Sequence, residues 1–412
     1  MKIWVIQTGE RLPLTAGTRM MRSGLLAEEF ARRGHAVTWW ASAFDHYARE
    51  WVDVSGSDHQ LADGIALKLL RGVGYSRNVS LRRFVDHAFV ARKFHKQAVR
   101  LPRPDVIVAA LPDYRIAYAA FRFARRNGIP FVLDLRDRWP WDFLDLVPSV
   151  ARPVLRLVLR SDFRMAKTLI RETDVLVTMM ESWGDWIRTV GSRKARPDDA
   201  VFYLGSEAPR PNPDEIRAPT LDALARCEGR WPILFIGSFT NRSWPQIATE
   251  VVKHLEIQGA PKPLFVLAGD GDFMPELQRL AAGNPNIVLP GYVNDAEIAA
   301  LLDVAKVGLV TGNGDFEAMP NKVFTYLSGG VPILSSLGGE LEAFLAHEGV
   351  GVTCRTAPDL ARAISDLHGD EGRRAAMSTK ARDIFNDRYE ARRLYGHYAD
   401  LVERVARSQG RS

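Results

Sequence analysis

Residues 315–332 read DFEAMPNKVFTYLSGGVP and predict a short helix between two strands. Pro320 suits the first helical position, where its missing N–H has no helical partner to lose. A Gly-Gly pair at 329–330 ends the helix. Because a helix N-terminus attracts anions and Lys322 adds a cation in the first turn, the segment suits a diphosphate, with Glu317 close enough to bind sugar hydroxyls. A simple helix cap with exposed Glu317 and Lys322 is the alternative.

Short apolar strands alternate with amphipathic helices on both sides of this segment. This alternation predicts α/β domains whose parallel sheets are covered on both faces. The predicted strands are Lys2–Gln7, Ala36–Ala41, Asp105–Ala110, Phe131–Leu135, Asp174–Met179, Ile233–Ile236, Leu264–Ala268, Asn286–Leu289, Val307–Val310 and Ile333–Ser335.

A proline-rich stretch at 207–220 interrupts the alternation and predicts a linker. We therefore expect an N-terminal Rossmann-like domain at 1–208, a second one at 209–388, and a C-terminal helix in 389–412 that packs back on the first domain. Tandem doubly wound domains bind ligands at the carboxyl ends of their strands. The expected site is a central cleft that the two domains face.

Composition narrows the class of protein. The 412 residues suit two domains, and no apolar stretch approaches the length of a membrane-spanning helix. The N-terminus reads as a buried strand, so a cytoplasmic location is the default expectation. Cys227 and Cys354 are too few to predict a metal site. Residues 1–200 carry a net charge of +11 and the remainder −5, which favours a polyanionic partner for the first half.

The chain resembles glycosyltransferase family 4 in the residues that carry these signals. The family motif has two glutamates separated by seven residues, followed by a small-Gly-x-Pro turn, and Glu317 aligns with the first glutamate. Thr325 replaces the second. The words Met-Pro-Asn-Lys-x-Phe-x-Tyr-Leu, which begin at Met319, are similar to a subgroup that builds bacterial O-antigen, capsule and exopolysaccharide units. The resemblance implies the GT-B fold and a retaining transferase that uses a nucleotide-diphosphate sugar.

The resemblance also implies the residues of the donor site. Glu317 would contact the sugar, Thr325 the ribose, and Lys322 and Arg242 the diphosphate, although Ser238 and Ser243 replace the basic residues that the family usually has near Arg242. No metal or other cofactor is expected. The other expected donor-site residues are Gly237, Ser238, Gly269, Gly271, Tyr292, Val293, Pro320 and Asn321.

The acceptor site is expected in the N-terminal domain. Gly17, Thr18 and Arg19 lie in a loop that resembles the family's acceptor loop, and His46 follows the second strand. The stretch at 134–140, DLRDRWP, resembles a subgroup motif at a strand end, which implies that Asp134, Arg136 and Asp137 line the cleft. The alternative is a buried Arg–Asp pair that fixes the loop. With Glu317, Lys322 and Arg242, His46 completes the expected catalytic set.

Two basic segments predict contact with an anionic membrane surface. Leu81–Arg103 and Val154–Arg171 mix cationic and apolar residues at helical spacing. The alternative is ordinary packing with solvated arginines. No nucleic-acid recognition motif accompanies the charge, so nucleic acid is not expected as a partner. The basic residues are Arg82, Arg83, Arg92, Lys93, Lys96, Arg100, Arg156, Arg160, Arg164 and Lys167.

The leading hypothesis is a hexosyl or acetamidosugar transferase of cell-surface polysaccharide biosynthesis. Its partners would be a UDP- or GDP-sugar and a glycan or polyprenyl-linked acceptor, and it would work in the cytoplasm or on the inner face of the membrane. A nucleotide-sugar epimerase or hydrolase on the same fold stays open. So does a non-catalytic scaffold protein, which the departures at Thr325 and Ser238 favour.

Overall fold

The structure is a computed structural model, and it describes residues 1–14, 18, 20–52, 58–62, 64–77, 80–240, 243–255, 262–312 and 319–409. The chain forms two compact units. Unit 1 comprises Met1–Tyr203 and Ala391–Ser412, and unit 2 comprises Leu204–Glu390.

The strands follow the predicted alternation, with a few additions. They are β1 (Lys2–Ile6), β2 (Ala36–Ser42), β3 (Phe44–Asp45), β4 (Glu50–Trp51), β5 (Asp58–Ala62), β6 (Ile65–Leu70), β7 (Val106–Ala110), β8 (Phe131–Leu135), β9 (Val175–Thr178), β10 (Ala200–Val201), β11 (Arg230–Ile236), β12 (Lys262–Ala268), β13 (Ile287–Gly291), β14 (Val307–Val310), β15 (Ile333–Ser335) and β16 (Gly351–Thr353).

The helices lie between and after these strands. They are α1 (Arg22–Arg32), α2 (Leu81–Ala98), α3 (Tyr114–Asn127), α4 (Arg152–Val158), α5 (Arg160–Glu172), α6 (Trp183–Gly191), α7 (Ala218–Cys227), α8 (Ile247–His254), α9 (Met274–Ala281), α10 (Asp295–Val304), α11 (Asn321–Gly329), α12 (Glu340–Glu348), α13 (Ala357–Gly369), α14 (Glu371–Ile384) and α15 (Ala391–Gln409). Short 3₁₀ helices cover Trp141–Leu146, Ser149–Ala151 and Pro213–Glu215.

Unit 1 is built on a mostly parallel sheet in the order β10-β9-β8-β7-β1-β2-β6-β5. Every residue of β7 and β8 is buried, because helices cover both faces of a doubly wound sheet. The aromatic rings of Trp4, Trp40 and Phe94 form the centre of one layer, with Trp40 and Phe94 centroids 5.0 Å apart. Strand β5 pairs antiparallel with β6. Neither strand of this edge hairpin was predicted. Strand β5, DHQLA, lacks an apolar run, whereas β6, IALKLL, has an apolar pattern that was not assigned to a strand.

Unit 2 has a parallel sheet in the order β13-β12-β11-β14-β15-β16. Phe235 and Phe265 belong to a buried core that also takes side chains from α8 and α13. Tyr326 of α11 is also fully buried, and its hydroxyl accepts the Ile236 N–H at 2.9 Å and donates to the Leu234 carbonyl at 3.0 Å. The Tyr326 side chain therefore fixes α11 at the carboxyl end of β11. The prediction of an α/β fold with two parallel sheets is confirmed.

Several predicted boundaries move. Helix α11 begins at Asn321 with Pro320 as its N-cap, one residue later than predicted. Helix α7 begins at Ala218, inside the predicted linker. The predicted basic helix at 154–171 is two helices, because Leu159 leaves helical geometry between α4 and α5.

The C-terminal helix belongs to unit 1, where it packs against α1. The Arg33 guanidinium contacts Asp400 at 2.6 Å and Glu403 at 3.1 Å, and it donates to the Gly396 carbonyl. The His35 ring lies 3.0 Å from Glu403. These contacts surround the Arg33-Gly34-His35 turn, where Gly34 adopts a positive φ of 81°. The turn therefore serves as an attachment point for α15.

Candidate functional site

In unit 2, glycines occupy the carboxyl ends of two adjacent strands. Gly237 follows β11, and Gly269 and Gly271 follow β12, all with positive φ. A Cβ on Gly269 would lie 1.8 Å from the Gly237 carbonyl oxygen, and one on Gly271 would lie 2.4 Å from the Phe239 oxygen. The Phe239 N–H donates to the Asp270 carbonyl at 2.8 Å. Only glycine therefore allows these two loops to pack backbone against backbone.

Among the described residues, no side chain caps the N-terminus of α11. Pro320 occupies the N-cap position, and it has no side-chain oxygen that could accept a hydrogen bond from the first turn. Asn321 is exposed beside it. An uncapped helix N-terminus presents N–H groups and partial positive charge, which together bind anions. The helix start that the sequence predicts at residues 320–322 is present, and its role in diphosphate binding stays a prediction.

Lys322 brings a cation to the same place. Its Nζ lies 3.7 Å from the centroid of the Phe235 ring. A Cβ on Gly237 would lie 2.9 Å from that Nζ, so a side chain there would displace the amine. Burial lowers the pKa of Lys322 to about 7. No carboxylate among the described residues pairs with it. An anion bound beside the amine would favour its protonated form.

The other predicted donor-site residues have varied surroundings. Thr325 is buried, and its hydroxyl lies 3.4 Å from the Asn321 carbonyl one helical turn earlier. The Ser238 carbonyl accepts the Ser243 hydroxyl at 2.7 Å. Tyr292 is 60% exposed and Val293 is buried; they follow Gly291, whose carbonyl accepts the Gly269 N–H at 2.8 Å. Glu317 and Arg242 lie outside the described residues. The structure thus brings Gly237, Gly269 and Lys322 together at one sheet edge.

In unit 1, Asp134 is the centre of a buried ion-pair network. Both of its oxygens accept from Arg22, at 2.9 and 3.0 Å, and Oδ2 also accepts from Arg136 at 2.9 Å. Arg136 continues to Glu10 and to the Ser23 hydroxyl. Burial alone would raise the pKa of Asp134, but the two guanidiniums outweigh it and hold that pKa below its ordinary value. The alternative of a buried Arg–Asp pair is therefore present here, whereas a role for Asp134 and Arg136 in acceptor binding stays a prediction.

A second polar cluster surrounds His46. His46 Nδ1 lies 3.0 Å from the Tyr75 hydroxyl, and burial lowers the pKa of His46 to about 4. Arg83 places its guanidinium over the rings of Trp139 and Tyr75, at 4.4 and 5.3 Å from their centroids. Its Nε donates to His87 Nε2 at 3.4 Å. These groups come from loops after β3, β6 and β8 and from helix α2, so only the fold assembles them.

The same cluster reaches the end of β7. His87 Nδ1 lies 3.4 Å from an oxygen of Asp113, which caps α3 and also accepts the Thr8 hydroxyl at 3.2 Å. Sequence reasoning missed Tyr75, His87 and Asp113, although the position of Asp113 directly after a predicted strand was a usable signal. Arg83 was assigned to the basic face of its helix. That assignment is wrong, because the side chain is buried.

The pKa of Asp137 is shifted in the opposite direction from that of Asp134. Burial, with the Asp142 carboxylate as a second cause, raises the pKa of Asp137 to about 6. Asp137 is thus a carboxyl group that changes charge near neutral pH, which is typical of groups in ligand sites.

Of the loop residues predicted to bind the acceptor, Thr18 is half-buried. Gly17 and Arg19 lie outside the described residues.

Two family models match the chain. "Glycosyl transferase 4-like domain" matches residues 21–198, and "Glycosyl transferases group 1" matches residues 231–370. These ranges contain the His46 cluster and the Lys322 site respectively. No curated protein sequence matches the chain closely enough to count as a relative.

Solved structures with the same fold cover nearly the whole chain. Sucrose-phosphate synthase from Thermosynechococcus elongatus is 13% identical, with a TM-score of 0.75 and coverage of 99% of each chain. Anabaena HepE in complex with UDP-glucose is 15% identical, with a TM-score of 0.64, and the match covers 100% of each chain. WaaG, a glycosyltransferase involved in lipopolysaccharide biosynthesis, is 14% identical, with a TM-score of 0.62. The match covers 97% of this chain and 99% of the WaaG chain. At such identities the likeness shows the GT-B fold alone.

None of the described helices combines the length and the apolar character that crossing a bilayer requires.

Proposed function

Because this chain belongs to the GT4-type glycosyltransferases, we propose that it moves a sugar, with retention of configuration, from a nucleotide-diphosphate donor to a glycan or polyprenyl-linked acceptor. The observation that carries the proposal is the partly buried Lys322 amine beside the uncapped N-terminus of α11. A cation and a helix N-terminus at the carboxyl edge of a parallel sheet are suited to a diphosphate.

The donor binds unit 2 in this proposal. Lys322 and the N–H groups of α11 hold the diphosphate, and they stabilise the charge that develops on it as the glycosidic bond breaks. Gly237 leaves room for the amine. Arg242 supplies a second cation, and Glu317 binds the sugar hydroxyls. This division of labour needs no metal, because the cations and the helix N-terminus neutralise the leaving group.

Uridine is our first choice for the donor base. The fold relative HepE was solved with UDP-glucose, which supports a uridine nucleotide without excluding GDP. Tyr292, with its exposed ring, and the buried Val293 follow β13, where they would lie against the base. Ser238 and Thr325 would contact the phosphate and ribose. The sugar is a hexose or an acetamido hexose.

The acceptor binds unit 1. The cluster around His46, with Asp137, offers hydroxyl, imidazole and carboxyl groups near the carboxyl ends of the strands, where acceptor hydroxyls can be bound. In this proposal Gly17, Thr18 and Arg19 also contribute to acceptor binding. His46 is neutral at physiological pH because its pKa is about 4, so it can orient an acceptor without adding charge. The departing phosphate oxygen takes the acceptor proton. A polyprenyl-linked acceptor would bring the enzyme to the inner face of the membrane for polysaccharide biosynthesis.

The first experiment is a thermal-shift screen with UDP, GDP and their sugars. We expect at least one to raise Tm by several degrees in the wild-type protein. Lys322→Met and Glu317→Ala should reduce the shift. Lys253→Met, which removes an exposed lysine from α8 of the same unit, should not. If no nucleotide raises the Tm of the wild-type protein, the donor assignment is wrong.

A second experiment separates transfer from other fates of the donor. Product analysis by NMR with the stabilising donor and a panel of lipid-linked glycans should give a new glycosidic bond of the donor's anomeric configuration. Inverted product would overturn retention. Turnover of the donor without any acceptor would instead indicate an epimerase or hydrolase.

A non-catalytic binding protein is the second candidate. It is favoured by Thr325, whose hydroxyl faces a backbone carbonyl where the family has a glutamate. Stabilisation by a nucleotide sugar without turnover of any acceptor would support it. Thr325→Glu would then be expected to increase the thermal shift, since a carboxylate accepts two ribose hydrogen bonds and a hydroxyl makes one.

A further inference from the structure

His46 and Tyr75 form a hydrogen-bonded pair in unit 1. His46 Nδ1 lies 3.0 Å from the Tyr75 hydroxyl. His46 directly follows strand β3, and Tyr75 lies in the loop after β6. A neutral imidazole carries one proton, on either Nδ1 or Nε2, and the hydrogen bond that one nitrogen makes decides which of them carries it. The surroundings of this pair therefore determine what His46 offers to a ligand.

Helix α2 holds the loop that carries Tyr75. One oxygen of the buried Asp86 side chain accepts the Val73 and Gly74 N–H groups, at 2.6 and 2.7 Å. The Tyr75 side chain is buried, and its ring packs against Phe44 with the centroids 4.8 Å apart. These contacts fix the position of the Tyr75 hydroxyl without the help of a ligand.

The Tyr75 hydroxyl is a hydrogen-bond donor. Burial raises the pKa of Tyr75 to about 12, so the phenol keeps its proton at physiological pH. A polar group on a buried side chain needs a hydrogen-bond partner. Among the described residues, His46 Nδ1 is the one polar atom within hydrogen-bond distance of this hydroxyl. The Tyr75 hydroxyl therefore donates to His46 Nδ1.

His46 carries its own single proton on the other nitrogen. Burial, with the Arg83 guanidinium as a second cause, lowers the pKa of His46 to about 4, so the imidazole is neutral at physiological pH. Because Nδ1 accepts from Tyr75, the proton lies on Nε2. No group in the described part of the chain forms a hydrogen bond with Nε2, and the His46 side chain is only half-buried. His46 thus offers an N–H donor to a ligand.

A second histidine of the cluster has the opposite tautomer and strengthens this arrangement. Arg83 Nε donates to His87 Nε2 at 3.4 Å, so the His87 proton lies on Nδ1, 3.4 Å from an Asp113 oxygen. Burial lowers the pKa of His87 and keeps this ring neutral. His87 thereby helps to hold the Arg83 guanidinium 5.3 Å from the centroid of the Tyr75 ring. A nearby cation makes a phenol more acidic, which favours donation from Tyr75 to His46.

We propose that Tyr75 is a positioning residue that fixes His46 in the Nε2–H tautomer, so that His46 binds an acceptor oxygen as a hydrogen-bond donor and does not act as a base. The role toward the acceptor rests on the proposed function, whereas the tautomer does not. With Nδ1 engaged by Tyr75 and Nε2 protonated, His46 has no nitrogen lone pair for the acceptor proton. The acceptor oxygen bonds to the anomeric carbon as the bond to the phosphate breaks, and the departing phosphate oxygen takes that proton.

NMR on the full chain tests the tautomer without any substrate. Long-range proton–nitrogen correlation spectra of protein with nitrogen-15-labelled histidine should show the His46 proton on Nε2 at neutral pH. The spectrum of His46→Gln identifies the His46 signals by their loss. Tyr75→Phe keeps the ring and removes the hydroxyl. It should lower the ratio of the Nε2–H to the Nδ1–H form of His46 about fivefold, as expected for the loss of one hydrogen bond.

Tyr47→Phe is the matched control for the NMR experiment. The Tyr47 ring lies beside the His46 ring, with centroids 5.3 Å apart, and its hydroxyl has no hydrogen bond to His46 among the described contacts. The tautomer ratio of His46 should therefore stay at the wild-type value in this variant. Tm measurements on both tyrosine variants check that they are folded.

Two substitutions of His46 distinguish a donor from a base. His46→Gln keeps an N–H donor at the end of the side chain and cannot act as a base, whereas His46→Leu keeps neither property. Steady-state kinetics with the stabilising nucleotide sugar and its acceptor should place kcat of His46→Gln within about fivefold of wild type, and kcat/KM of His46→Leu at least about tenfold lower. Removal of a base would instead lower kcat about a hundredfold or more in both variants.

Three outcomes would overturn the inference. The first is wild-type protein with the His46 proton on Nδ1. The second is a tautomer ratio in Tyr75→Phe equal to that of wild type. The third is an equal loss of kcat, about a hundredfold or more, in both His46 variants. Absence of transfer to every acceptor would contradict the proposed function, and the NMR result would still decide whether Tyr75 fixes the tautomer.

Discussion

The Lys322 amine lies 3.7 Å from the centroid of the Phe235 ring, at the carboxyl end of β11. An aromatic face attracts a cation, but it supplies much less stabilisation than a carboxylate in the same place. Burial therefore dominates and lowers the pKa of this lysine to about 7. Two predictions follow from the half-neutral state of this amine at physiological pH.

Donor affinity should depend on the charge of Lys322. A diphosphate favours the protonated amine and raises its pKa in the complex, so binding takes up a proton above pH 7. Between pH 7 and 8.5 we expect the Kd for the stabilising nucleotide sugar to increase with pH, by up to about tenfold per unit. Isothermal titration calorimetry in buffers of different ionisation enthalpy would measure both the affinity and the proton uptake.

Lys322→Met provides the control for that pH dependence. It should weaken binding and flatten the slope, whereas Lys253→Met should preserve both. A slope that survives in Lys322→Met would assign the pH dependence to another group.

Removal of the amine should stabilise the donor-free protein. Between pH 7 and 10 the unfolded chain binds the Lys322 proton and the folded protein does not, so the free energy of unfolding rises with pH in this window. Below pH 7 the full cost of a charged, partly buried amine is present. Lys322→Met should therefore raise the free energy of unfolding by about 2 kcal/mol at pH 6. This is less than the full pKa shift of Lys322 implies, because the side chain is only partly buried. The difference from wild type should vanish near pH 10.5. Urea denaturation at both pH values checks this.

Gly269→Ala should disrupt the two loops that follow β11 and β12. The new Cβ would lie 1.8 Å from the Gly237 oxygen, which is a backbone atom and cannot rotate away. We expect a loss of about 2–3 kcal/mol in unfolding free energy together with loss of nucleotide stabilisation. Gly283→Ala is the matched control, because Gly283 also has positive φ but has open space around its Cβ position, and it should cost only about 1 kcal/mol.

Asp134→Asn should destabilise unit 1. The substitution leaves the buried Arg22 guanidinium without its carboxylate, a change that typically costs about 3–5 kcal/mol. Asp185→Asn breaks an exposed pair with Arg188 and should cost less than about 0.5 kcal/mol. Chemical denaturation would measure the free energy of unfolding of both variants against wild type. Equal, small losses would show that the network contributes little to stability.

Asp137→Asn should have an effect that depends on pH. The folded protein retains the Asp137 proton up to about pH 6, while the unfolded chain loses it near pH 4. In that window the free energy of unfolding falls as pH rises. The loss of stability caused by the charged Asp137 side chain is complete above pH 6. The variant should therefore melt at a higher temperature than wild type at pH 7.5 and at the same temperature near pH 3.5. A constant difference at all pH values would contradict the raised pKa.

The strand pattern was predictable because burial on both faces of a parallel sheet requires continuous apolar runs. Strands β8, β14 and β15 match the predicted ranges to the residue. Strand β5 escaped prediction since DHQLA pairs through its backbone without an apolar signature, whereas β6, IALKLL, has such a signature and was missed. The break at Leu159 also escaped, because both α4 and α5 have helical periodicity and only packing separates them.

The sequence by itself determined the α/β class, the family, and the glycines and Lys322 that meet at the carboxyl edge of the second sheet, because these depend on residue type and on short spacings along the chain. Tertiary structure decided what each charge meets. It buried Arg83 against two aromatic rings, surrounded Asp134 with two guanidiniums and left Lys322 with an aromatic ring and no carboxylate among its described neighbours. The pKa of a group depends on burial and on charges from distant segments, and a linear sequence contains neither quantity until the chain folds.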